Sequence, residues 1–264
     1  MEVSVPGGPY ALAAGPDGAL WVTLVHSGEV ARIEGDAVQR FTVGEKPQQI
    51  VAGPDGALWF TLADSIGRLT TAGALSTYPA ERPYGICVGP DRGIWVTDGD
   101  SVRRVGGDVF ALPKDSYPAM ITTGPDGALW FTLNAAGAVG RLDVRGALEL
   151  RETPTPRSGP VGIAATHDAV WFTEILAGQL GRIPMDDTIQ ELPLGEDTKP
   201  HAVIAAPADG VFVSLWGAGE IAHVSFDGEV ATLPAGPEPH GLAIGPDEAL
   251  WVALEDGAVV RVAG

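Results

Sequence analysis

Two acids and a histidine, Glu238, His240 and Glu255, flank one Gly-Pro-Asp turn at 245–247. If that turn closes a hairpin centred near Asp247, His240 lies opposite Leu254 and Glu255 lies beside Pro239. Glu238 and His240 are two apart on a strand, so their side chains face the same way. Carboxylates and an imidazole meeting at one hairpin end suit two tasks. The acids supply oxygen ligands for a hard divalent cation such as Mg²⁺, with Mn²⁺ as an alternative. The imidazole titrates near neutrality and serves as a general base, while the cation stabilises negative charge developing on a substrate carbonyl.

The hairpin is one copy of a repeat. GPDGALW stands at 15–21, 53–59 and 124–130, with looser copies at 89–95, 165–171, 206–212 and 245–251. The copies are anchored on Trp21, Trp59, Trp95, Trp130, Trp171, Phe212 and Trp251, at spacings of 35 to 41 residues. A second anchor, a proline, precedes the aromatic by 12 residues in six copies and by 11 in the fifth: Pro9, Pro47, Pro83, Pro118, Pro160, Pro200 and Pro239. Each copy holds short alternating runs separated by Gly, Pro and Asp, which is a strand pattern. Four strands in about 40 residues is the signature of a propeller blade.

The last copy stops at Val262-Ala263-Gly264, after its third strand, while Glu2-Val3-Ser4-Val5-Pro6 resembles a fourth. One end supplies what the other lacks and closes a ring without exposed edges. The expectation is an all-β chain forming a single seven-bladed β-propeller domain over 1–264, with the N-terminal strand completing the last blade. The residue after each anchor proline then sits at one mouth of the central channel: Tyr10, Gln48, Tyr84, Ala119, Val161, His201 and His240. Across the ring closure Tyr10 comes close to His240, and His201 enters from the neighbouring blade. Trp216, out of register with the blade tryptophans, stands at the mouth as a candidate substrate wall. His26, His167 and His223 read as structural or solvent-facing, and Cys87 as core packing. Asp98 and Glu174 read as hydrogen-bonding to backbone within their blades.

Composition narrows the partners. The 264 residues are 45% hydrophobic, enough for a sizeable core, and carry a net charge of −18. Such a surface repels nucleic acid and anionic lipid, so neither nucleic acid nor membrane is expected as a partner. The N-terminal MEVSVPGGPY has no basic region and no long apolar run, so no signal peptide is read there. With a single cysteine, the simplest compartment is the reducing cytoplasm. A closed propeller needs no partner for stability, so a monomer is expected.

The repeat, with IGRL at 66–69 and VGRL at 139–142, resembles the virginiamycin B lyase (streptogramin lyase) family across essentially the whole chain. Gly8-Pro9-Tyr10, Pro200-His201-Ala202, Glu238-Pro239-His240-Gly241 and Glu255 after Trp251-Val252-Ala253-Leu254 match its site motifs. The resemblance implies a Mg²⁺-dependent carbon–oxygen lyase that linearises type B streptogramins, small cyclic depsipeptide lactones, by elimination at the threonyl ester. It implies that His240 removes the α-proton, that Glu238 and Glu255 bind the metal, and that His201 binds substrate. Tyr10, Tyr84 and Trp216 could then wall an aromatic-rich substrate. The chain departs from the family three residues after the blade aromatic, where Leu24, Leu62, Leu133, Leu215 and Leu254 replace most of a ring of glutamates. Two other readings share the scaffold: a metal-dependent lactonase or esterase, and a propeller that binds a ligand without turning it over.

Overall fold

Alternating apolar residues and Gly-Pro-Asp turns produce strands of three to six residues throughout. The computed structural model describes residues 1–185 and 188–262. The strands form seven antiparallel sheets of four, and in six of them the strands follow chain order from the inside out. The seventh sheet places Glu2–Ser4 outermost, against Ala258–Val262. The ring therefore closes as the termini suggest. Ala263 and Gly264 lie outside the described residues, and no helix here is long and apolar enough to cross a membrane.

Blades 1 to 7 begin with the inner strands Pro9–Ala14, Ile50–Ala52, Pro83–Val88, Pro118–Thr123, Pro160–Ala165, Pro200–Ala205 and Pro239–Ile244. Each inner strand packs against the next, and that of blade 7 packs against that of blade 1. The core lies between blades. Trp21 of blade 1 buries against Leu58, Phe60 and Leu69 of blade 2, while Trp251 and Ala253 of blade 7 bury against Leu12 and Val22 of blade 1. The repeated glycine of I-G-R-L is a packing requirement. Gly67 faces Phe60 across the sheet, and a Cβ there would overlap the ring.

The repeat motif explains itself at the turn end of the blades. In blade 1, Asp17 accepts the Trp21 indole N–H through Oδ1 at 2.9 Å and Arg32 Nε through Oδ2 at 2.6 Å. The same aspartate–tryptophan–arginine set recurs with Asp55, Asp91, Asp126 and Asp247.

At the other end of each inner strand, a buried hydroxyl two residues after the blade aromatic ties neighbouring blades together. Thr97 Oγ1 accepts Gly85 N–H of its own blade at 2.8 Å and donates to Ala119 C=O of the next at 2.6 Å. Thr23, Thr61, Thr132, Thr173 and Ser214 repeat this bridge, each donating to the carbonyl of the residue after the next anchor proline. Blade 7 has Ala253 at this place.

Candidate functional site

The residues after the anchor prolines converge at one mouth of the channel. The register slips by one residue just beyond the proline, as between Pro9 and Leu12, Pro200 and Val203, and Pro239 and Leu242. A bulge of this kind re-aims the side chain that it carries. It brings Tyr10, Tyr84, His201 and His240 together. The ring centroids of Tyr10 and His240 are 3.7 Å apart, and those of His201 and His240 are 3.9 Å apart. The Tyr10 and Tyr84 hydroxyls share a hydrogen bond of 2.7 Å. The Gln49 side chain also hydrogen-bonds the Tyr84 phenol.

Burial sets the protonation states. It lowers the His201 pKa to about 4 and leaves Nδ1 without a partner. His240, 6% exposed, is held at about 2 by burial first and by the neighbouring imidazole second, with its contact to the Tyr10 backbone opposing both. Each imidazole is therefore neutral at physiological pH and carries a lone pair. Burial also raises the pKa of Tyr10, with Tyr84 and the Glu255 charge adding to the effect, and raises that of Tyr84. Both phenols remain protonated donors.

The two glutamates stand at the same hairpin end but not as strand alternation suggests. Pro239, not His240, pairs with Leu254. The bulge accounts for the one-residue difference, and Glu255 N–H donates to Glu238 C=O at 3.2 Å. Glu238 precedes the strand with φ of 51°, so its side chain does not share a face with His240. It is exposed, whereas His240 is buried. Lys46, Tyr117 and Lys199, which also precede anchor prolines, have the same left-handed backbone, so this conformation belongs to the blade and not to Glu238 alone.

The Glu238 carboxylate makes no hydrogen bond or ion pair with any described residue, and no group of three or more His, Cys, Asp or Glu residues is arranged around a common metal position among them. Two carboxylates from one hairpin end nonetheless fit a hard cation that keeps most of its water, because that cation asks few ligands of the protein.

Trp216 is half-buried and lies to the side of the imidazoles, with the Lys199 ammonium 5.0 Å from its ring. It lines a cleft of about 500 Å³ together with Glu238. A second cavity, of about 340 Å³, opens beside Tyr84 and His201 and is walled by Tyr117 and Arg82.

The model of the Virginiamycin B lyase family matches residues 1–262. The chain belongs to that family. A virginiamycin B lyase of Nocardia farcinica (strain IFM 10152) is 41% identical over 180 residues, covering 63% of this chain and 62% of that protein. One from Mycobacterium sp. (strain KMS) is 67% identical over 42 residues, covering 16% of this chain and 15% of that protein. These alignments thus span less than two thirds of the relatives' own length. Solved virginiamycin B lyase from Staphylococcus aureus superposes with a TM-score of 0.91 at 32% identity, over 99% of this chain and 97% of that one. A catalytically inactive histidine-to-alanine variant of the Staphylococcus aureus enzyme, solved with quinupristin, has the same TM-score at 31% identity.

His26 is solvent-facing as expected, and its Nε2 also lies 3.4 Å from Glu255 Oε1. The signal was Gly7-Gly8 before the first anchor proline, because a Cβ on Gly8 would overlap the His26 ring. Asp98 does bond backbone, accepting Glu81 and Arg82 N–H at 2.8 Å each. Glu174 does not, and both of its carboxylate oxygens are buried without a partner.

Proposed function

We propose that this chain is a divalent-cation-dependent carbon–oxygen lyase that opens type B streptogramin macrocycles by elimination. The observation that carries the reading is the packing of neutral His240 against Tyr10 and His201 at the channel mouth, with Glu238 and Glu255 at the same hairpin end. His240 takes the α-proton of the threonyl unit. The electron pair left at Cα becomes the Cα–Cβ double bond, and the ester carboxylate departs from Cβ. The product is linear, contains a dehydrated threonine and has the mass of the substrate, because no water enters. His201 and the Tyr10–Tyr84 phenols orient the substrate by hydrogen bonds. Glu238 and Glu255 would hold Mg²⁺, whose positive charge would stabilise the negative charge that develops at the adjacent carbonyl. The relative solved with quinupristin supports a depsipeptide substrate, and its inactivation by loss of one histidine supports a histidine at the centre of the chemistry.

The test is mass spectrometry of a type B streptogramin incubated with the wild type and with His240→Ala, in Mg²⁺ and in EDTA. A linear isomer formed only by the wild type with Mg²⁺ is the expected result. A product heavier by one water means a lactonase using the same site. An intact macrocycle, with folded protein and metal present, leaves a propeller that binds without catalysis.

A further inference from the structure

Six of the seven blades follow one rule at the channel mouth. A buried Thr or Ser hydroxyl accepts an N–H from its own inner strand and donates to the carbonyl of the residue after the next blade's anchor proline. In blade 6, Ser214 accepts Ala202 N–H and donates to His240 C=O, both at 2.9 Å. Blade 7 breaks the rule, because the position is Ala253, wholly buried and without a hydroxyl. Two backbone groups lose their bridge as a result. By the pattern of the other blades they are Gly241 N–H and Tyr10 C=O. Gly241 follows His240 directly, and Tyr10 C=O is pressed so close to Gly241 that a Cβ there would overlap it. The one break in the bridging pattern therefore falls beside the imidazole whose ring centroid lies 3.7 Å from that of Tyr10.

A buried carbonyl without a donor is costly. The His240 imidazole has a polar contact with the Tyr10 backbone, and its ring centroid lies 3.7 Å from that of Tyr10. We propose that Ala253 is a positioning residue: by withholding the hydroxyl it leaves Tyr10 C=O to accept the His240 imidazole N–H. That bond fixes one tautomer and ring orientation and turns the other nitrogen, with its lone pair, toward the mouth. A neutral imidazole has one donor and one acceptor nitrogen, and the partner of the first decides which is free to act as base. The catalytic consequence rests on the lyase reading above, whereas the tautomer does not.

The experiment compares Ala253→Thr with Ala253→Val. The two side chains have nearly the same shape, and the other blades already house Thr or Ser at this place, so the hydroxyl is the difference. Imidazole ¹⁵N shifts, assigned to His240 by subtraction with His240→Ala, report the tautomer without turnover. The Thr variant is expected to rebuild the bridge, displace His240 from Tyr10 C=O and shift its tautomer ratio. It should also melt about 2–4 °C above the Val variant, because it regains an inter-blade bond. Its kcat on the depsipeptide should fall on the order of ten- to a hundredfold with KM little changed, the scale of losing a group that orients a base. The Val variant should keep the wild-type tautomer and most of the activity. The proposal is overturned if both variants and the wild type give the same His240 nitrogen shifts, as they would if a water bridged Gly241 N–H and Tyr10 C=O. If the wild type turns over no macrocycle, the lyase reading fails, and the nitrogen shifts still decide this one.

Discussion

Glu174 is wholly buried at the end of the strand Ala169–Glu174, and neither carboxylate oxygen has a hydrogen-bond partner in the structure. Its neighbours are occupied: Ser158 donates to Thr153 Oγ1 at 3.0 Å, and Glu191 accepts Thr155 N–H and its hydroxyl. Burial raises the Glu174 pKa to about 7, and the charge of the Glu191 carboxylate adds to the effect. The folded-state pKa is thus above the unfolded value of 4.5. The folded state holds its proton more tightly, so the stabilisation is complete below about pH 4.5 and is lost as pH rises through about 7. Glu174→Gln, which cannot ionise, should be more stable than the wild type at pH 8 by about 3 kcal/mol relative to their difference at pH 4. Urea unfolding at the two pH values checks this, and an equal difference at both would remove the account. At this scale the sequence marked the site residues by type but not by orientation. Glu238 and His240 are two apart, yet a left-handed residue and a bulge break the alternation that such spacing assumes. Nothing in the residues around Glu174 shows that its backbone partners would be missing.

The blade was legible as an element because its motif is built from bonds that demand particular residues. Asp takes the indole and the guanidinium at the turn, and glycine makes room for the Phe ring beneath it. The inter-blade hydroxyl is also in the motif, as the T of W-F-T, but its meaning needs the next blade, which no local pattern shows. Thr97 tests its weight. Its side chain is fully buried and bridges Gly85 N–H and Ala119 C=O. Thr97→Val keeps the shape and leaves a buried donor and a buried acceptor unsatisfied, a cost of about 1–3 kcal/mol. Denaturant titration should show the midpoint falling with little change in slope, because the surface exposed on unfolding is unchanged. A neutral outcome would mean that water enters the gap and replaces the hydroxyl.

On the scale of the whole molecule, the two faces of the ring divide the labour. The turn face carries the aspartate–tryptophan–arginine sets, and the opposite mouth carries the imidazoles, phenols and free carboxylate. Closure joins the two concerns, since Tyr10 belongs to blade 1, His240 and both glutamates belong to blade 7, and the chain ends hold these blades together. This seam lacks the hydroxyl bridge found between the other neighbours, so it depends more on apolar contact among Leu12, Val22, Trp251, Ala253 and Val259 and on the strand Glu2–Ser4. Val5, wholly buried, anchors the closing segment through its N–H to Gly257 C=O at 2.8 Å. Val5→Asp would place an unpaired carboxylate there, at a cost on the order of 3 kcal/mol. If the seam is the weakest joint of the ring, the loss should appear locally before it appears globally. Amides of Pro239–Ile244 and Ala258–Val262 should exchange faster in the variant while those of blades 3 to 5 stay protected, and ligand binding should be lost below the temperature at which tryptophan fluorescence reports unfolding. Coincident loss of binding, protection and fluorescence would instead mean that the ring opens as one cooperative unit, with the seam no weaker than any other joint.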